Sequence, residues 1–119
     1  MAKFSNNKYE ASGLEKVVAN RVTLYQIKAK ISFGSVKAGD LGGWISGEHN
    51  LSEDNDAWVF GNAWVLGNAR VFGNARVFGN AWVLGNVRVY GNAWVSGNAK
   101  VFGNARVFGN VRVSCGVHN

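Results

Sequence analysis

Proline is absent from this chain, cysteine occurs once (Cys115), and not one Asp or Glu follows Asp56. A single cysteine excludes an internal disulfide framework, so nothing points to an oxidising compartment and the cytosol is the expected location. The opening residues, MAKFSNNKYE, lack the apolar core of a signal peptide, and no apolar run approaches membrane-spanning length. No membrane association is expected. Charged residues are scarce at 17%, but hydrophobic residues reach 47%, which excludes a disordered chain. The missing acids make the second half wholly basic: Arg70, Arg76, Arg88, Lys100, Arg106 and Arg112 face no carboxylate between residues 57 and 119. Such a half attracts polyanions or acidic protein surfaces; the same arginines would also serve to keep a greasy surface in solution.

What is abundant is a hexapeptide. From Ala57 the units run AWVFGN, AWVLGN, ARVFGN, ARVFGN, AWVLGN, VRVYGN, AWVSGN, AKVFGN, ARVFGN and VRVSCG. Four residues of each unit alternate as a strand, and Gly-Asn supplies the turn, since both residues tolerate tight-corner conformations. Positions one and three of a strand share a face, as do two and four. The first pair is Ala (or Val) and an unbroken Val column from Val59 to Val113; the second is Trp, Arg or Lys with Phe, Leu, Tyr or Ser. Burying six cations would cost several kcal/mol each, so the Ala/Val face must be the interior. The Gly-Asn pairs read as structural, their amides lining up as ladders along the corners.

The order Val-x-Gly-Asn-Ala-x resembles the left-handed parallel β-helix of hexapeptide-repeat proteins. That resemblance implies an all-β solenoid with three hexads per coil, or 18 residues per turn, and about four coils. Upstream, ISGEHN (45–50) and LSEDND (51–56) read as worn copies in the same frame, with GDLGGW (39–44) as a further one. Residues 1–38 are expected to form an N-terminal β cap, a strand pair turning near Ala19-Asn20, that covers the open end of the solenoid. Residues 39–119 then form the helix, degenerate over 39–56 and regular over 57–116, within one structural domain. At the other end, Cys115 to Asn119 would either fold across the last coil or leave it open to another copy. The stretch LYQIKAKISFGSVKAGDLGGWIS followed by the repeats resembles small phage and prophage proteins, which would place the chain in a host cell's cytosol.

With 18 residues per coil, the exterior sorts into three faces. One carries Arg70, Arg88 and Arg106 beside Phe72, Tyr90 and Phe108; these six are the candidate partner-binding residues. Stacked like charges repel, and nearby rings offset this through cation–π contact, but an anionic partner would do so better. Guanidinium groups beside rings suit phosphates and bases, and equally an acidic protein surface. A second face carries Trp64, Trp82 and Lys100 beside Leu66, Leu84 and Phe102. Trp64, Trp82, Leu66, Leu84 and Phe102 make an apolar patch that is expected to mediate self-association as a dimer or trimer. The third face alternates Trp58, Arg76, Trp94 and Arg112, beside Phe60, Phe78, Ser96 and Ser114.

Many members of the resembled fold are acyltransferases with a His base and a pantetheine groove. Here the histidines are His49, in the degenerate coil, and His118, in the tail, and no insertion interrupts the regular hexads to build a pocket. Catalysis is not expected, and no cofactor. EDND (53–56) lacks the spacing of a calcium loop, and Cys115 with His118 lacks two further zinc ligands, so no metal is expected. An ice-binding surface would by resemblance want rows of Thr, and Thr23 stands alone. The expected function is therefore non-enzymatic binding. The Arg/aromatic face would engage and block a host macromolecule, for instance a nucleic-acid-handling defence complex such as CRISPR machinery. The alternatives are a self-assembling, polymer-forming β-helix module and, after it, a hexapeptide acyltransferase.

Overall fold

The computed structural model describes Phe4, residues 6–18 and residues 21–118. Two long strands come first, β1 (Tyr9–Val18) and β2 (Val22–Ala29), paired antiparallel from Tyr9↔Ala29 to Val18↔Val22. The expected turn at Ala19-Asn20 lies outside the described residues. β3 (Leu41–Ile45) runs antiparallel to β2 and is followed by a 3-10 turn, Glu48–Asn50. Ten two-residue strands then recur at every hexad, from β4 (Trp58–Val59) and β5 (Trp64–Val65) through β6 (Arg70–Val71), β7 (Arg76–Val77), β8 (Trp82–Val83) and β9 (Arg88–Val89). They continue as β10 (Trp94–Val95), β11 (Lys100–Val101), β12 (Arg106–Val107) and β13 (Arg112–Val113), and β14 (Val117–His118) closes the described chain.

Every third hexad pairs in parallel. The sheets are β1-β2-β3-β5-β8-β11-β14, β13-β10-β7-β4 and β12-β9-β6. Arg70↔Arg88↔Arg106 and Trp64↔Trp82↔Lys100 confirm three hexads per coil and an all-β parallel solenoid of about four turns. The repeat's Ala and Val face inward as expected. Val59, Val65, Val71, Val77, Val83, Val89, Val95 and Val101 are fully buried, as are Ala57, Ala63, Ala69, Ala75, Ala81, Ala93 and Ala99. A column of small and β-branched side chains fills the narrow bore between three sheets, which longer residues would overpack.

The corners divide their labour. Each turn glycine takes the left-handed backbone conformation, for example Gly79 at φ +71°. It also lies so close to the next coil that a Cβ on Gly79 would meet the Gly97 nitrogen at 2.8 Å. The asparagines contribute side-chain ladders instead: Asn68 donates to Asn86 and Asn86 to Asn104, at 3.3 Å each, while Asn74, Asn92 and Asn110 form a second series.

The degenerate coil departs from the expected frame. Ile45 pairs with Val65 and Leu51 with Val71, so both occupy the interior Val position rather than the first position of a hexad. The six-residue period survives from Ile45 to Leu51, but Glu53–Asp56 adds two residues before Val59. The corner there is wider, and the frame upstream is displaced by two.

The N-terminal pair packs on this coil. Tyr9, Ile27, Ala29 and Val36 join the solenoid core, and Lys8 is 2% exposed with its ammonium donating to the carbonyls of Ser52 and Ala57. The ammonium also lies 4.7 Å from the Phe33 ring centroid. Burial lowers the Lys8 pKa from its ordinary 10.5 to about 8, against the opposing pull of Asp56 and Asp54. Between those values the unfolded chain still holds the proton and the folded chain has lost it, so stability rises with pH across that window. Burial shifts the Tyr9 hydroxyl the other way, above its ordinary 10.0, with Glu48 and Glu53 adding to it. The unfolded chain ionises first there, and stability falls as pH climbs past that point. Urea denaturation should therefore show a midpoint that increases from pH 8 towards 10 and then declines, and Lys8→Met should abolish the rising limb.

Candidate anion-binding face

β6, β9 and β12 set Arg70, Arg88 and Arg106 in register on one sheet, all exposed. Neighbouring parallel strands are about 4.8 Å apart, so the three guanidinium groups form one row. Beside them the position-four rings stack on each other. Phe72 and Tyr90 are 4.9 Å apart at 7°, and Tyr90 and Phe108 are 5.4 Å apart at 11°. All six candidate partner-binding residues thus share one sheet.

The rings do not offset the Arg row in the way expected from sequence. Among the described residues, the cation–π contacts lie elsewhere: Arg76 and Arg112 sit 5.8 and 4.2 Å from Trp94, and Lys100 sits 4.8 Å from Trp82. Tyr90 has a ring on either side, so bases cannot stack along the ladder; only its two ends offer a face. The repulsion within the Arg row is therefore met by neither acids of the repeat nor its own rings.

On the second face, Trp64 and Trp82 stack at 4.8 Å and 3°. Trp44 precedes them in the same column, and Lys16 lies 4.0 Å from Trp44 and 5.6 Å from Trp64. Trp82 is 37% exposed, while Trp64, Leu66, Leu84 and Phe102 are each half-buried. The five self-association candidates lie on one sheet, but with less free apolar area than their composition suggests. Trp44 was not singled out from sequence because the frame shift in the degenerate coil hid its alignment, and Lys16 reaches this face from β1, outside the repeat.

The third face carries one correction. Trp58 does pair with Arg76, Trp94 and Arg112 in one sheet, but it is 1% exposed rather than exterior. Tyr9 and Phe33 meet its ring edge-on at 6.2 and 5.2 Å, so the N-terminal segment covers it.

Above the Arg row lies an open cleft of about 600 Å³, lined by Asn6, Tyr9, Glu48, Glu53, Phe72 and Arg88 among others. His49 borders it, yet its Nε2 lies 2.7 Å from the Gly67 carbonyl, a bond between coils. Asn50 beside it is fully buried and donates to the Gly67 and Ala69 carbonyls at 3.2 and 2.8 Å. In regular coils backbone N–H groups make these bonds, as Asn68 does to Gly85. The 3-10 turn diverts the backbone here, and two side chains replace it. His118 likewise binds locally, its Nε2 2.8 Å from the Cys115 carbonyl.

Three stretches of the chain, residues 69–85, 83–97 and 99–115, match the family model for the YdcK beta solenoid repeat. Comparison with curated proteins yields no significant match. No helix among the described residues is long and apolar enough to cross a membrane.

Proposed function

We propose that this repeat β-solenoid protein is a non-enzymatic binding protein whose Arg70–Arg88–Arg106 face engages an anionic macromolecule. The observation that carries this reading is the in-register Arg row, in a half of the chain without a carboxylate and with its rings stacked on each other. A rigid sheet holding like charges at strand spacing stores repulsion that a polyanion relieves. We take single-stranded nucleic acid as the partner class, since phosphates repeat along it and suit guanidinium groups. A phage-encoded, left-handed hexapeptide protein acting on a nucleic-acid-handling defence complex is the setting suggested by the resemblance of the repeats and of the stretch LYQIKAKISFGSVKAGDLGGWIS before them. The His49 bond to Gly67 supports a structural rather than a basic role for that residue.

Fluorescence anisotropy of a labelled single-stranded oligonucleotide tests this. Three phosphate contacts imply a slope of about −2 for log affinity against log salt, or about a twentyfold loss between 50 and 200 mM. Affinity that is flat in salt would sink the reading.

Self-association through the Trp64/Trp82 sheet is a second reading. It is favoured by Trp82, exposed, and half-buried Leu66, Leu84 and Phe102 sharing one sheet on the side away from the core. Light scattering should then give the mass of a dimer or trimer, and Trp82→Glu should reduce it to one chain.

A further inference from the structure

The ring ladder on the Arg face is one ring short at its upper end. Leu51 pairs in parallel with Val71, which places Ser52 beside Phe72 and buried Asn50 beside Arg70. Two columns of large side chains therefore end at a small residue and an inward one, and the cleft of about 600 Å³ opens there. Within the ladder, consecutive rings lie 4.9 to 5.4 Å apart and within 11° of parallel. The cleft above Phe72 thus faces the flat side of a ring. Arg70 and Arg88 line it together with Glu48 and Glu53; Glu53 is exposed and accepts from the Asn7 N–H at 3.3 Å through one oxygen, which leaves the other for a ligand.

Those walls select a ligand. A flat ring completes the stack; an anionic group meets the guanidinium pair; ring or amino N–H donors meet the carboxylate. A phenylalanine side chain satisfies the first demand only, and tyrosine or tryptophan, with a single O–H or N–H donor, the first and third, whereas a nucleobase with its phosphate satisfies all three. The Trp64/Trp82 column does not compete as a stacking site. Its facing sides are occupied by each other, and Lys16 and Lys100 sit near its outer rings.

We infer that the cleft binds one nucleotide, its base laid on Phe72 as a further ring of the ladder and its phosphate against Arg70 and Arg88. Guanine suits the carboxylate best, because its N1–H and exocyclic amino group form a two-donor edge. This inference deepens the proposed reading of the Arg face and rests on it, with the cleft as the point that anchors one base of a strand.

Calorimetric titration with GMP, UMP, inorganic phosphate and an acidic tyrosine-containing peptide tests it. GMP should bind at least tenfold more tightly than inorganic phosphate, and more tightly than UMP. Phe72→Leu keeps apolar bulk but removes the stacking surface, and Ser52→Phe fills the vacancy. Each should weaken GMP roughly tenfold or more while phosphate binding stays unchanged. Thermal melting confirms that both variants fold; Phe72→Leu decides the matter if Ser52→Phe does not. GMP no tighter than phosphate, GMP binding indifferent to Phe72→Leu, or peptide binding in place of nucleotide would each overturn the inference. Arg106 lies one strand beyond Arg88 and does not line the cleft, so oligonucleotide affinity lost in Arg106→Ala tests the face alone and separates the two failures.

Discussion

Replacing Asn50 with Leu should cost the fold about 3–5 kcal/mol, by the usual penalty for stranding several buried polar groups. The side chain is fully buried, and its Oδ1 accepts from the backbone of Ser46 and Gly47 and from the Ser46 hydroxyl at 2.8–3.0 Å. Its Nδ2 donates across the coil to Gly67 and Ala69. Leucine has similar bulk but satisfies none of these partners. Ser46 keeps its ladder bond to Val65, so the loss concentrates on the Gly47 N–H and the Ala69 carbonyl. Asn50→Asp retains the acceptor but turns a charged oxygen towards the Gly67 and Ala69 carbonyls, and should cost at least as much as Asn50→Leu. Urea denaturation of both variants measures the order. An Asn50→Leu protein as stable as the original would mean that the backbone ladder re-forms without the side chain.

Trp58→Ala should be comparably severe, at about 3–5 kcal/mol for deleting a large buried aromatic residue. The ring fills the junction between the N-terminal segment and the first regular coil, held edge-on by Tyr9 and Phe33. The backbone above it is cut back to fit, since a Cβ on Gly42 would stand 2.8 Å from the ring. Hydrogen exchange should localise the damage, with β1 and β2 amides losing protection before the later coils do. Trp94→Ala, in the same column but half-buried, should cost less. Equal losses from the two would contradict the burial that distinguishes them.

The contrast between these two tryptophans shows how far the sequence could be read. The hexads dictate their own fold because each carries the whole pattern that its stacked neighbours complete: Ala and Val inward, Gly at the corner, Asn laddered beside it. Alternation therefore assigned the core, while the 18-residue columns, including Arg70, Arg88 and Arg106, followed from the resemblance to hexapeptide-repeat proteins. It failed where the repeat meets something else. Trp58 obeys the exterior pattern and is buried by a segment of different periodicity. Ile45 and Leu51 follow the six-residue spacing, but the extra pair within Glu53–Asp56 displaces their frame, a shift that only strand register reveals. The cleft above Phe72 opens where that register sets Ser52 in the ring column. Nor did composition tell which cations rest on rings: Arg76 and Arg112 settle around Trp94, while the Arg row stands beside rings that stack on each other.

That difference permits a comparison at constant net charge. Arg88→Ala and Arg76→Ala each remove one positive charge, but from different faces. If the Arg70–Arg88–Arg106 row is the binding surface, the salt dependence of oligonucleotide binding should flatten by about 0.7 for Arg88→Ala, the value for one single-strand phosphate contact. Arg76→Ala should leave the slope as it was. Equal flattening in both variants, or in neither, would contradict the account, because the attraction would then follow from overall charge or lie on another face.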